Sequence, residues 1–189
     1  SMTAEDFRSY RKSHYNAPST VVTAAGNIRH EDVVEKVTFA IKGLPHGKAP
    51  SAKPCPPPRK SPRIVTAARD IQQTQLSLAL PAISHRDERR YAAHLLHVIL
   101  GANASSRLFQ EIREKRGLCY SVSTHQTTLN DGGYLGISAG LDRRNLEKFL
   151  ILILAQFENL RNKIIGIAEL RRAKEYTIGS SRMALERTS

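Results

Sequence analysis

A chain of 189 residues, 40% of them hydrophobic, is long enough to bury a sizeable core and too apolar for general disorder. Its net charge of +12 suits attraction to acidic peptides, nucleic acid or anionic lipid, but the Arg doublets at 89–90, 143–144 and 171–172 are scattered, aromatics are only 6% and Trp is absent, which argues against a nucleic-acid binder. The longest apolar run, residues 149–155, is too short to span a bilayer, and two cysteines with no Cys-x-x-Cys pair exclude a disulfide framework.

Thr3 can cap a first helix, which reaches about Tyr15 and breaks at Asn16-Ala17-Pro18. Residues 20–25, TVVTAA, read as a β-branched strand closed by Gly26, and residues 30–41 as a second helix ended by Gly43. Seven of the nine prolines then fall within residues 44–62, which predicts an extended linker. Cys55 sits within it. Strands are expected over 63–68 and 73–80, and a helix from Asp87 to Gly101. The next helix begins at Ser105 or Ser106, either of which can cap it, and carries Leu108, Phe109 and Ile112 on one face. Lys115, Arg116 and Gly117 end it, and a strand follows from Leu118. Asn130-Asp131-Gly132-Gly133 joins that strand to another over 134–141 in a hairpin. Asp142 can cap a long helix through Phe149, Ile153 and Phe157, and a last helix starts near Ala168 with no stop signal before Ser189, so the chain reads as cut. This grouping into hairpins and helix pairs argues for an α+β domain of two layers.

The stretch 101–122, GANASSRLFQEIREKRGLCYSV, resembles the second domain of the pitrilysin/insulinase zinc peptidases, which include the mitochondrial processing peptidases. In that family such a run carries an Arg and, seven positions later, a Tyr, here Arg113 and Tyr120. The resemblance implies that both contact the backbone of a bound peptide near the scissile bond. It extends more weakly to HYNAPSTVVTAAGNI, which is similar to the passage out of the first domain, and to residues 73–109, similar to the opening of the second. It implies a mainly antiparallel sheet with helices on one face. It also implies three parts: residues 1–43 as the end of a first domain, 44–62 as linker and 63–189 as a second domain truncated at its C-terminus. From the residues alone another account stays open. Arg113 can serve the helix dipole, and Tyr120, alternating with Leu118 and Val122, can pack in the core.

Zinc peptidases of this kind use His-x-x-Glu-His on a helix, and the sequence lacks it. His94 and His97, at i and i+3, have no Glu between them and apolar neighbours, so no metal ligands or catalytic residues are assigned to this chain. Zinc is expected in the parent protein or a partner chain, and none bound here. The reading is the non-metal half of a zinc metallopeptidase, partnered by a peptide substrate and by the zinc-bearing domain or subunit. The alternatives are a non-catalytic subunit of a processing-peptidase-like complex and a basic nucleic-acid-binding domain. A further expectation is that residues 20–25 join the sheet of residues 73–80, within one chain or swapped between two copies in a homo-oligomer.

Overall fold

The computed structural model describes residues 2–51, 53–54, 56 and 61–186. They form two units, Ser1–Pro54 and Cys55–Ser189. In the first, helix α1 (Ala4–His14) begins with a reciprocal cap: the Asp6 N–H donates to Thr3 Oγ1 and the Thr3 N–H to the Asp6 carboxylate. Helix α2 (His30–Ala40) starts without a side-chain cap, and neither helix buries a residue. Among the described residues of this unit the buried side chain is Asn16, which accepts from the Ser19 N–H and donates to the Lys48 carbonyl at 3.1 Å. The Ala17 N–H donates to Pro45 O. The proline-rich stretch is thus not extended from its first residue: it folds back on the Asn16 turn before running on. Cys55 and the prolines at 57 and 58 lie outside the described residues.

Residues 20–25 are exposed and form no strand, so they do not join the sheet of residues 73–80. Residues 63–68 are likewise unpaired. Both runs have β-branched composition. A strand, however, is completed by a neighbouring strand that takes up its N–H and C=O groups, and none among the described residues lies beside either run.

The second unit holds the core. Strands β1 (Thr74–Ala82), β2 (Ser121–Thr128) and β3 (Gly133–Leu141) make an antiparallel sheet in the order β1-β3-β2. Pro81 is tolerated in β1 because that strand lies at an edge. Helices α3 (Arg90–Gly101), α4 (Leu146–Asn162) and α5 (Ile167–Leu185) complete an α+β fold. Alternation along the paired strands gives the sheet two unlike faces. Leu76, Val122, Ile137, Ala139 and Leu141 pack with Leu100, Leu108, Ile112, Phe149 and Ile153. The register places Gln75, Ser121 and Gly140 together on the opposite face, followed by Ser77, Ser123 and Ser138. The His125 ring lies over Gly136, where a Cβ would come within 2.1 Å of it. Among the described residues no helix is long and apolar enough to cross a membrane.

Several helix starts differ from expectation. Asp87 does not cap α3; it accepts from the Arg89 N–H and holds the Arg89 guanidinium, which lowers its carboxyl to about 2. Asp142 pairs with Arg144 ahead of a short 3-10 turn (Arg143–Asn145), and α4 begins beyond it without a side-chain cap. Helix α5 ends at Leu185 with Glu186 as C-cap, and residues 187–189 are outside the described set.

Candidate functional site

The Arg113–Tyr120 corner is built by a helix of unusual winding. Residues 107–108 open an α-turn, and Phe109–Glu114 continue it as a π-helix, marked by the Lys115 N–H donating to Gln110 O. Such turns are rare and often lie at functional sites. Leu108 and Ile112 anchor the segment in the core with no exposure. At its end Gly117 takes φ +58°, the left-handed conformation glycine adopts at little cost. The Gly117 N–H donates to Arg113 O and the Leu118 N–H to Ile112 O. Each bond spans one residue more than in the usual glycine C-cap, as the wider winding demands. Glu111 accepts from both Lys115 and Arg116, which hold its carboxyl below the usual range.

Arg113 leaves this turn with its guanidinium 4.6 Å from the Phe109 ring centre and 3.8 Å from the Glu114 carboxylate. Its side chain is 41% exposed. Beneath it Cys119 is buried; burial pushes the thiol up, opposed by the charge of Arg113.

Tyr120 does not pack in the core. It is 55% exposed, between buried Cys119 and exposed Ser121. The Tyr120 N–H donates to Gly140 O at 2.8 Å, while Ser121 is the register partner of that same glycine. Two residues thus oppose one, the pattern of a β-bulge, and the bulge turns Tyr120 out of the alternation. Asn145 Nδ2 donates to Leu118 O and ties this entry to the start of α4. The structure therefore places Arg113 and Tyr120 on either side of the Gly117 turn, both open to solvent.

Neither Ser105 nor Ser106 caps the helix: the segment has no side-chain cap, and the Ser106 hydroxyl is buried without a partner. The front of the segment is held instead by a link the sequence did not suggest. Arg107 donates through Nε and Nη2 to the two Glu169 oxygens, both at 2.7 Å. This bidentate pair raises the Arg107 guanidinium and lowers the Glu169 carboxyl.

The His94–His97 pair is engaged by neighbours of its own. His97 Nδ1 lies 2.7 Å from Thr124 Oγ1, whose hydroxyl donates to the His97 carbonyl, so Nδ1 carries the proton in the consistent assignment. His94 meets the His97 ring edge-on at 5.7 Å. Burial pushes His97 down to about 4, and the charges of His94 and His125 act the same way. Among the described residues no group of three His, Cys, Asp or Glu could hold a metal ion, so the side chains present do not fit zinc.

A family model described as the peptidase M16 inactive domain matches residues 1–176. The chain belongs to the M16 inactive-domain family. An uncharacterised zinc protease of Streptomyces coelicolor is 35% identical over 194 residues, covering 99% of this chain and 42% of the relative. The crystal structure of an M16 inactive domain from Pseudomonas fluorescens superimposes with a TM-score of 0.76 at 27% identity, over 96% of this chain and 44% of that one. A protease from Helicobacter pylori shares the fold, with a TM-score of 0.78 at 22% identity over 99% of this chain and 46% of that one. This M16 inactive domain therefore spans less than half the length of the relatives it matches.

Proposed function

We propose that this M16 inactive domain is the non-metal half of a zinc metallopeptidase and helps hold the peptide substrate while a zinc site elsewhere performs hydrolysis. In this reading residues 1–43 close a first peptidase domain, 44–62 link, and 63–189 form the second. Arg113 and Tyr120 are the substrate-binding residues, the zinc belongs to the rest of the parent protein or to a partner chain, and this chain supplies no catalytic residue.

The observation that carries the reading is the presentation of two hydrogen-bond donors across one fixed turn. Ile112 and Cys119 are buried, while the residues that follow them, Arg113 and Tyr120, point outward. A guanidinium offers several N–H groups and no acceptor, and a phenol donates one more; both suit the carbonyl oxygens of a peptide backbone. The names of the relatives support the metal half of the proposal, since the Streptomyces coelicolor protein is called a zinc protease.

The test is kinetic, in the parent enzyme reassembled with its zinc-bearing half. Tyr120→Phe lowers kcat by on the order of a hundredfold if its hydroxyl meets charge developing on the carbonyl oxygen. Arg113→Ala raises KM. Unchanged kinetics in both variants, with folding intact, would refute the assignment.

A further inference from the structure

We infer that Arg107 and Glu169 are a positioning pair that sets the peptide-binding side chain Arg113 from the far end of its helix; the inference rests on the peptide-holding reading above. A π-turn is less well bonded than an α-turn and persists where its surroundings fix it. The C-terminal end of Phe109–Glu114 is fixed many times over, by the Glu111 clamp, by Gly117 and by the Leu118 N–H. The N-terminal end is not. It has no side-chain cap, the Ser106 hydroxyl has no partner among the described residues, and the polar contacts of Ser105, Ser106 and Gln110 are local, within residues 103–115.

Among the described residues, the polar link from that end to another helix is the Arg107–Glu169 bridge, which reaches the first turn of α5. Its side chains are only 19% and 25% exposed. Two parallel N–H···O bonds fix the angle as well as the distance between the groups, so the bridge resists rotation of the helix about its axis. Arg113 stands six residues beyond Arg107 on the same short helix. A rotation at one end is a displacement at the other, and small displacements of a binding group cost large factors in rate.

The informative variant is Glu169→Gln. It keeps the shape and removes the charge, whereas removing Arg107 would leave Glu169 to Arg172, whose charge already acts on it. Two measurements are made. Hydrogen exchange in this chain should quicken across residues 109–115 in Glu169→Gln while strands β2 and β3 stay protected. In the reassembled enzyme the same variant should lower kcat/KM by on the order of tenfold to a hundredfold, with KM carrying the change. The charge-swapped double variant Arg107→Glu/Glu169→Arg should restore both. Unchanged exchange in Glu169→Gln would overturn the inference. So would quickened exchange with an unaltered KM, provided Arg113→Ala, run beside it, raises KM. An unaltered KM in Arg113→Ala would instead overturn the peptide-holding reading, and the exchange result would then decide the anchoring alone.

Discussion

Tyr120 points to solvent because one extra residue opposes Gly140, a detail on which its whole availability depends. Alternation through Leu118 and Val122 placed it with the buried side chains, and strand periodicity cannot register a bulge. Gly117 is the companion device on the helical side. Nothing lies within 4 Å of a Cβ built there, so Gly117→Ala should cost only the left-handed backbone, about 1–2 kcal/mol, and should leave the core intact. Urea unfolding with an unchanged m value checks this. His97 makes a different prediction. Its folded value of about 4 lies below the ordinary 6.5, so between those limits the unfolded chain binds more protons than the folded one. Stability attributable to His97 is therefore lost as pH falls from 6.5 towards 4, and the ring contributes no pH dependence above 6.5. His97→Gln should flatten the decline in melting temperature over that window; parallel declines in variant and parent would show that the ring stays neutral for no energetic consequence.

Helix α3 rests on β2 through Gly101. A Cβ on Gly101 would lie 2.4 Å from Thr124 Cγ2 and 3.1 Å from the Thr124 N, and the second atom is backbone that cannot step aside. Gly101→Ala should therefore destabilise by about 1–3 kcal/mol, as overpacking does, and thermal melts in which the variant matches the parent would contradict the packing. The sequence showed Gly101 as a helix end, not as a contact, since a glycine's neighbour is invisible until the helix is docked. What was legible at this scale followed from strong local signals. The hairpin of β2 and β3, the body and end of α3, and the amphipathic α4 and α5 came from turn chemistry and periodicity. The winding of Phe109–Glu114 did not, because Leu108, Phe109 and Ile112 are too few to distinguish an α-turn from a π-turn. The Arg107–Glu169 pair joins residues 62 apart, and such a link is set by docking of elements rather than by spacing. Residues 20–25 and 63–68 failed as strands for the converse reason: local preference was present and the partner was not.

At the scale of the whole molecule, stability and function are unevenly shared. Among the described residues every buried hydrophobic side chain lies between Val98 and Ala173, and the helices of the first unit bury none. A fragment of residues 61–189 should therefore unfold in a single cooperative transition close to that of the full chain, while residues 1–54 alone should show no cooperative melt. Calorimetry on the two fragments separates this from a shared core, in which neither would melt alone. Among the described residues no three His, Cys, Asp or Glu side chains stand together as a metal site requires. Catalytic zinc sites usually draw three protein ligands to one point and leave a position for water. Here His97 is occupied by Thr124, His94 meets only the edge of its ring, and His125 lies over Gly136 on the opposite face of the sheet. The charge of +12 adds repulsion to any cation approaching from a distance. The chain, purified free of metal, given one equivalent of zinc and desalted, should retain far less than one ion, and it should cleave no peptide. One tightly held zinc per chain by elemental analysis would defeat this, and would require ligands to assemble from side chains that stand apart in the fold.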